Sequence, residues 1–200
     1  QRREALQPTL RGELQELDVG RQRTGGVDQA QRIAGDLDMI FHYHPSYMPA
    51  EGSYGNAVLS RFPLQLVKAD ILPGNGNAEP RGALWVEITD GDHRIQVVGT
   101  HLSCRPLERH RQVLALLNTG WIDNATAEKA IVLCGDLNLV PRSRSYRALC
   151  NHLRDAHTET LSATRARTWM GLACLDYVFV GSRITVESMD VPQNHLTRLA

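Results

Sequence analysis

The chain alternates short apolar runs with polar, glycine-containing loops, a pattern typical of an α/β or α+β domain. β-Branched and aromatic residues fill the runs, and turn residues flank them. We therefore predict strands at 56–60, 83–88, 94–99, 130–134 and 175–180. Asp and Gly in 89–92 predict a hairpin turn between the second and third of these strands. The run 130–134 is almost wholly apolar, which indicates a central strand covered on both faces.

Two further segments have the three- and four-residue spacing of amphipathic helices. Across 105–119, leucines and a valine recur at that spacing with arginines opposite them. A shorter helix is predicted over 143–152, where the Ser143 hydroxyl can cap the first turn. The segment 73–77 predicts a surface loop and lacks the spacing of a nucleotide-binding phosphate loop, so we assign it no nucleotide role.

Composition indicates a single domain spanning 1–200. Hydrophobic residues make up 42% of the 200 positions, which is enough for a buried core. Lys+Arg and Asp+Glu are equal at 22 each, and this balance argues against a broad basic face for nucleic acid. None of the four cysteines forms a C-x-x-C pair, so we expect reduced thiols and a cytoplasmic location. No apolar run is long enough to span a bilayer. We expect the protein to be a monomer.

Polar side chains stand at the ends of several apolar runs, where a sheet can present them to a shared cleft. Glu16, His101 and Asp176 occupy such positions. Asp136 and Asn138 are two residues apart and share one face if their backbone is extended. The carboxylate could bind a metal or position water, and the amide could donate to a phosphoester oxygen. An Asx-type turn after a strand is the alternative interpretation of this pair.

Six short motifs follow one another in a recognisable order. They lie at 14–16, 54–60, 81–83, 99–102, 135–138 and 175–179. Together they resemble the motifs of the endonuclease/exonuclease/phosphatase superfamily, also called DNase I-like, and the resemblance covers about residues 14–180. The segments 17–21, 24–26 and 54–63 look most like its small bacterial metal-dependent hydrolase branch. The resemblance implies a four-layer α/β/β/α sandwich of two packed mixed β-sheets. It also implies a metal-dependent phosphoric ester hydrolase in which water attacks in line.

The resemblance implies a role for each matching position. Glu16 matches a glutamate that binds Mg²⁺, with Mn²⁺ as a second candidate. His101 matches a residue that donates to a phosphate oxygen and stabilises transition-state charge. Asp136 matches an aspartate that orients the nucleophile or leaving group, and Asn138 its phosphate-contacting partner. Asp176 matches a carboxylate that hydrogen-bonds a general-base histidine.

Three more residues are candidate substrate contacts. Arg81 and Asn56 fall within the matching motifs, and Arg109 follows the strand that ends in His101. Each also has a structural interpretation. Arg81 could pair with a buried carboxylate, and Arg109 could lie on a solvated helix face.

Two pieces of the family pattern have no match. Residues 1–12 contain no asparagine to stand near the metal, and the chain ends about where a Ser-Asp-His segment with the general base should begin. His195 is a late histidine without the preceding aspartate. We expect the first and last strands to be missing, with truncation at both ends and severely impaired activity, because a general base contributes about 10²–10⁴-fold. The alternative is a catalytically incomplete or binding-only member of the same fold.

Other chemistries find less support in the sequence. His42 and His44 would share a face of a strand as a zinc pair can, but no carboxylate motif accompanies them. There is no G-x-S-x-G elbow for serine hydrolysis. The bond hydrolysed is expected to be that of a phosphodiester or phosphomonoester. Because the net charge is zero and only 6% of residues are aromatic, we favour a small phosphodiester or lipid head group as substrate. Nucleic acid stays open as an alternative.

Overall fold

Two β-sheets of unequal size organise the chain. The computed structural model describes residues 12–76, 78–118, 120–123, 129–159 and 174–189. The strands in these ranges are β1 (Glu13–Val19), β2 (Ile40–Tyr47), β3 (Ser53–Ser60), β4 (Leu64–Ile71), β5 (Gly82–Asp90), β6 (His93–Thr100), β7 (Ile131–Asp136), β8 (Arg154–Asp155) and β9 (Asp176–Val180). The α-helices are α1 (Gln29–Leu37), α2 (Pro106–Asn118), α3 (Arg144–Cys150) and α4 (Ala156–Glu159), and a 3₁₀ turn spans Gln22–Thr24.

The smaller sheet has the strand order β1-β3-β2, and its described pairs are antiparallel. The larger sheet has the order β4-β5-β6-β7-β9-β8 and is mixed, because β6 and β7 run parallel while its other described pairs are antiparallel. The predicted strands correspond to β3, β5, β6, β7 and β9, and the predicted hairpin joins β5 to β6. β7 lies inside the larger sheet, as its continuous apolar run predicts.

The two sheets pack face to face, and helices cover their outer faces. Val58 of β3 meets Leu84 of β5 and Val97 of β6 between the sheets. The next residue of β3, Leu59, points the other way and joins α1 in a second apolar cluster. Successive side chains of a strand alternate between its faces, so β3 is buried on both. The predicted four-layer α/β/β/α sandwich is confirmed.

The helix α2 covers the far face of the larger sheet, with Val113, Leu116 and Leu117 in the core. The predicted separation of leucines and arginines is wrong at three positions, one of which is Leu114, at 39% exposure. Leu107 is 78% exposed, whereas Arg109 is buried. Leu107 lies in the first turn of the helix, before the stretch that packs on the sheet, and Arg109 is buried because backbone carbonyls accept its hydrogen bonds.

The helix α3 begins as predicted. The Ser143 side chain accepts a hydrogen bond from the backbone N–H of Tyr146 at 3.2 Å, which caps the first turn. The helix ends at Cys150, two residues before the predicted limit. No helix in the described ranges combines the length and apolar character needed to cross a membrane.

Candidate active site

A cleft of ≈ 580 Å³ opens where β1 of the smaller sheet meets the ends of β6, β7 and β9 of the larger sheet. Six residues predicted from sequence line it together, although they come from widely separated segments: Glu16, Arg81, His101, Asp136, Asn138 and Asp176. Five other residues complete the lining: Glu13, Leu14, Gln15, Cys104 and Leu175. The sheet packing therefore gathers most of the predicted site in one place.

Glu16 is placed by an irregularity in β1. The pairing with β3 shifts register between Leu14 and Leu17, so β1 carries one extra residue there. Glu16 has a φ of 59°, a left-handed conformation that is unfavourable for a residue with a side chain. Its side chain is 58% exposed at the cleft. Glu16 thus lies at a bulge within the strand rather than at a strand end, and the bulge directs its carboxylate towards the cleft.

Asp136 and Asn138 are joined by a turn. Asn138 has a φ of 48°, so the extended backbone assumed for this pair is wrong. The Asn138 N–H donates to Oδ1 of Asp136 at 2.9 Å, and its side-chain Nδ2 donates to the carbonyl of Leu102 at 2.9 Å. The pair forms an Asx-type turn and also lines the cleft, so both interpretations of the sequence hold. Asparagine tolerates the left-handed backbone conformation at position 138, and its side chain anchors the loop.

His101 lies at the centre of the polar cluster and is buried. Its Nδ1 lies 3.3 Å from Nη1 of Arg81 and 3.5 Å from Oε1 of Glu16, while its Nε2 lies 3.6 Å from Oδ2 of Asp136. Burial and the Arg81 charge lower the pKa of His101 to about 4, against the opposing effects of Glu16 and Asp176. The imidazole is therefore neutral at neutral pH.

Burial and neighbouring carboxylates raise the pKa of two carboxyl groups in the cleft, Asp136 and Glu13. The pKa of Asp136 is raised to about 6, first by burial and then by Asp176 and Glu16, while the Asn138 N–H and Arg81 act in the opposite direction. Burial also holds the pKa of Glu13 well above its usual value. Such a set of carboxylate oxygen donors fits a hard divalent cation.

The described residues supply only part of a coordination shell. Within the described ranges, no three His, Cys, Asp or Glu side chains converge closely enough to hold a metal ion by themselves. That arrangement still fits Mg²⁺, because Mg²⁺ keeps several waters and often takes one or two protein carboxylates plus substrate phosphate.

Several lining residues received no role from the sequence. Nε2 of Gln15 donates to Oε2 of Glu13 at 2.6 Å, and the buried Oε1 of Glu13 has no partner in the described structure. Two glycines leave room for these side chains. A Cβ on Gly99 would stand 2.5 Å from Cγ of Glu13, and one on Gly135 would stand 3.1 Å from Nε2 of Gln15. Period-two alternation places Glu13 and Gln15 on one face, and that signal could have indicated the pair.

Two of the candidate substrate contacts lie outside the cleft lining. Nδ2 of Asn56 donates to the carbonyl of Gly82 at 3.3 Å, which ties β3 to β5. Nη1 of Arg109 donates to the carbonyls of Ser103 and Cys104 and so holds the loop before α2. Both have structural partners, and their substrate roles stay predictions.

The structure also answers three further predictions. Arg81 lines the cleft, but its carboxylate partner is the exposed Glu79 rather than a buried acid. His42 and His44 lie on β2, and no metal-binding group of three includes them in the described ranges. His195 lies outside the described residues.

Sequence and structure comparisons agree on the fold. The sequence model of the Endonuclease/Exonuclease/phosphatase family matches residues 13–197. YbhP of Escherichia coli K12, an uncharacterised protein, is 31% identical over 108 residues, which cover 53% of this chain and 42% of YbhP. This match thus spans less than half the length of that relative.

Two solved structures share the architecture. An endonuclease/exonuclease/phosphatase from Beutenbergia cavernae DSM 12333 superposes with a TM-score of 0.62 at 23% identity and covers 85% of this chain and 54% of its own. The human Nocturnin catalytic domain, solved with a bound sulfate anion, gives a TM-score of 0.61 at 19% identity. The match covers 85% of this chain and 68% of the Nocturnin chain. At these identities the likeness establishes the fold.

Proposed function

Since the chain belongs to the endonuclease/exonuclease/phosphatase family, we propose that it hydrolyses a phosphoester with the help of a divalent cation, Mg²⁺ or Mn²⁺. The observation that carries the proposal is the position of His101. Its neutral ring lies within 3.6 Å of Glu16 and Asp136, beside Arg81, in a cleft open to solvent. A carboxylate, a neutral donor and a guanidinium in one cleft suit a phosphate group better than any other common substrate group.

In this proposal Glu16 would hold the cation, and Asp136 lines the same cleft. The cation would supply Lewis-acid polarisation of a phosphoryl oxygen and lower the pKa of a nearby water. Nε2–H of His101 donates to a non-bridging phosphate oxygen. The N–H of Asn138 Nδ2 that is not bonded to the Leu102 carbonyl presents a second donor. These groups stabilise charge as it develops on the phosphate, and their hydrogen bonds hold them in place beforehand.

Two aspartates are proposed to assist the attack of water on the phosphate. Asp136, whose pKa is raised to about 6, is proposed to orient the nucleophile or the leaving group. Asp176 is proposed to hydrogen-bond a general-base histidine. Loss of Asp176 is expected to change the pH–rate profile, because it removes the partner of a general base.

A small phosphorylated substrate is favoured. A cleft of ≈ 580 Å³ falls within the range of small-molecule sites, and a zero formal net charge provides no overall attraction for a polyanion. Nocturnin, which shares the fold, binds a sulfate anion in its solved catalytic domain. By analogy we propose that this cleft takes a phosphate carried by a small molecule or lipid head group, with nucleic acid as the alternative outcome of the test.

The proposal is tested with a panel of phosphomonoesters, phosphodiesters and a single-stranded oligonucleotide, assayed with Mg²⁺, with Mn²⁺ and with EDTA. We expect turnover that requires the cation and falls in the Glu16→Gln variant. Asp36→Asn, which removes one partner of an exposed ion pair on α1, is the matched control and should retain full turnover. Cation binding without turnover of any substrate would instead identify the chain as a binding-only member of the family.

A further inference from the structure

The guanidinium of Arg81 is already engaged by a carboxylate from its own segment. Nη1 of Arg81 donates to Oε1 of Glu79 at 2.7 Å. Pro80 lies between the two residues and favours an extended backbone at Glu79. Side chains two apart in an extended segment emerge on the same side, so this short sequence places acid and base together.

A second arginine near the cleft provides a contrast. Arg23 uses both Nε and Nη2 to bind the carboxylate of Asp18, at 2.6 and 2.7 Å, and Asp18 is buried. The Arg23 guanidinium also lies 5.4 Å from the ring centroid of Tyr54. Removing Arg23 would leave the longer 3.7 Å contact to Arg21 as the remaining described ion pair of the buried Asp18 carboxylate, so we treat the Arg23–Asp18 pair as permanent structure.

The Arg81–Glu79 pair is built differently. The Glu79 side chain is 44% exposed, and the ion pair uses a single nitrogen of Arg81. The Arg81 side chain is only 15% exposed, but its partner is not buried in this way, and water solvates the Glu79 carboxylate well once it leaves, so the pair is weakly held from the carboxylate side. Glu79 is also outside the lining of the cleft, whereas Arg81 is part of it. The carboxylate can therefore move into solvent without disturbing the packing around His101.

The same nitrogen of Arg81 faces the histidine. Nη1 lies 3.3 Å from Nδ1 of His101, so a phosphate oxygen placed beside the ring would compete with Glu79 for this guanidinium. A phosphate offers Arg81 two or more acceptor oxygens in the geometry that suits its fork of donors. We propose that Glu79 is the exchangeable counter-ion of Arg81, which occupies the guanidinium in the free protein and gives way to the phosphate group of the substrate. This inference rests on the proposed function and assigns Glu79 as a residue that sets affinity for the phosphate.

The exchange predicts a specific effect of neutralising Glu79. Glu79→Gln should bind inorganic phosphate about two- to fivefold more tightly than the unaltered chain, because a weak exposed ion pair no longer competes. The gain should shrink at high salt, since screening weakens the competing pair. Asp36→Asn neutralises an exposed ion pair on α1 and is expected to leave phosphate affinity unchanged.

The experiment is a titration of the 200-residue chain with inorganic phosphate in the presence of Mg²⁺. Calorimetry measures the affinity, and the amide NMR signals near Arg81 report where phosphate binds. Arg81→Gln and the Arg81→Gln/Glu79→Gln double variant complete a cycle, in which Glu79→Gln should give little or no gain once Arg81 is gone. A gain that depends on Arg81 supports the proposal.

Three outcomes overturn it. Equal affinity in Glu79→Gln means that the carboxylate does not compete. Weaker affinity means that Glu79 instead holds Arg81 in position. In both of these cases the unaltered chain still binds phosphate and the proposed function stands. An absence of phosphate binding in every variant overturns the exchange and the proposed function together.

Discussion

Nη1 of Arg81 lies 3.3 Å from Nδ1 of His101, and a hydrogen bond between these two nitrogens requires the ring proton to be on Nε2. Arginine can only donate, so Nδ1 of the neutral ring must accept. The proton then resides on Nε2, on the side of the ring that faces Asp136. The pairing prepares His101 to donate a hydrogen bond without first being protonated.

The first prediction concerns that donor. His101→Ala should lower kcat for the best phosphoester substrate by about 10²–10³-fold, because removing a preorganised donor to a developing oxyanion has an effect of this size. His93→Ala is the matched control, since His93 is exposed at the start of the same strand, and its kcat should be unchanged. Steady-state kinetics with both purified variants, checked for folding by circular dichroism, measure the effect. Equal kcat for His101→Ala and the unaltered chain would contradict the assignment.

The second prediction separates stability from activity at Glu16. Its φ of 59° disfavours any residue with a side chain, so Glu16→Gly should raise the free energy of unfolding by about 0.5–1 kcal/mol while abolishing cation-dependent turnover. Asp38 has a φ of 53° at the end of α1, away from the cleft, and Asp38→Gly should stabilise similarly with full activity. Urea unfolding and turnover are measured on both variants. A destabilised Glu16→Gly chain would show that the bulge is not strained.

The third prediction follows from the raised pKa of Asp136. Its pKa is about 6 in the folded protein and 3.8 in the unconstrained side chain, chiefly because of burial and then the neighbouring carboxylates. A carboxyl with a higher pKa in the folded state stabilises the fold below the unfolded pKa, and that contribution is lost as pH rises through about 6. Asp136→Asn should therefore raise the free energy of unfolding by roughly 1–2 kcal/mol at about pH 7.5.

The gain from Asp136→Asn should shrink as pH falls towards about 4.5, because the native carboxyl is then protonated and uncharged too. The measurement is a series of urea unfolding curves across this range, with EDTA present so that no cation offsets the repulsion. A gain that is constant with pH would count against the electrostatic origin.

The fourth prediction concerns the glycine before Asp136. Gly135 has a φ of +137°, and a Cβ there would stand 2.0 Å from the carbonyl oxygen of Thr100. Gly135→Ala should destabilise the fold by about 2–3 kcal/mol and displace the Asp136 loop, because backbone must shift to admit the methyl group. Gly35 in α1 has open space around it, so Gly35→Ala should stabilise by about 0.5–1 kcal/mol. In thermal unfolding, the midpoint temperature should fall for Gly135→Ala and rise for Gly35→Ala.

Local sequence was a good guide where neighbours along the chain decide the outcome. The strands β3, β5, β6, β7 and β9, the turn between β5 and β6, and the cap at Ser143 all follow from spacing and turn chemistry. Prediction was weaker where distant segments meet. Arg109 was predicted on the polar side of its helix, but it is buried, and carbonyls of the preceding loop accept hydrogen bonds from its guanidinium.

The sequence by itself determined the family, because motif order is a property of the chain. The resemblance to that family implied the layered architecture and indicated the six polar side chains that line the cleft. Only the tertiary structure decided the bulge that carries Glu16, the left-handed turn at Asn138, and the exposed pairing of Glu79 with Arg81. The physical reason is that register shifts and ion pairs depend on which segments pack together. Burial then sets the charge on groups such as His101 and Asp136, because removal from water is a property of the assembled sheets.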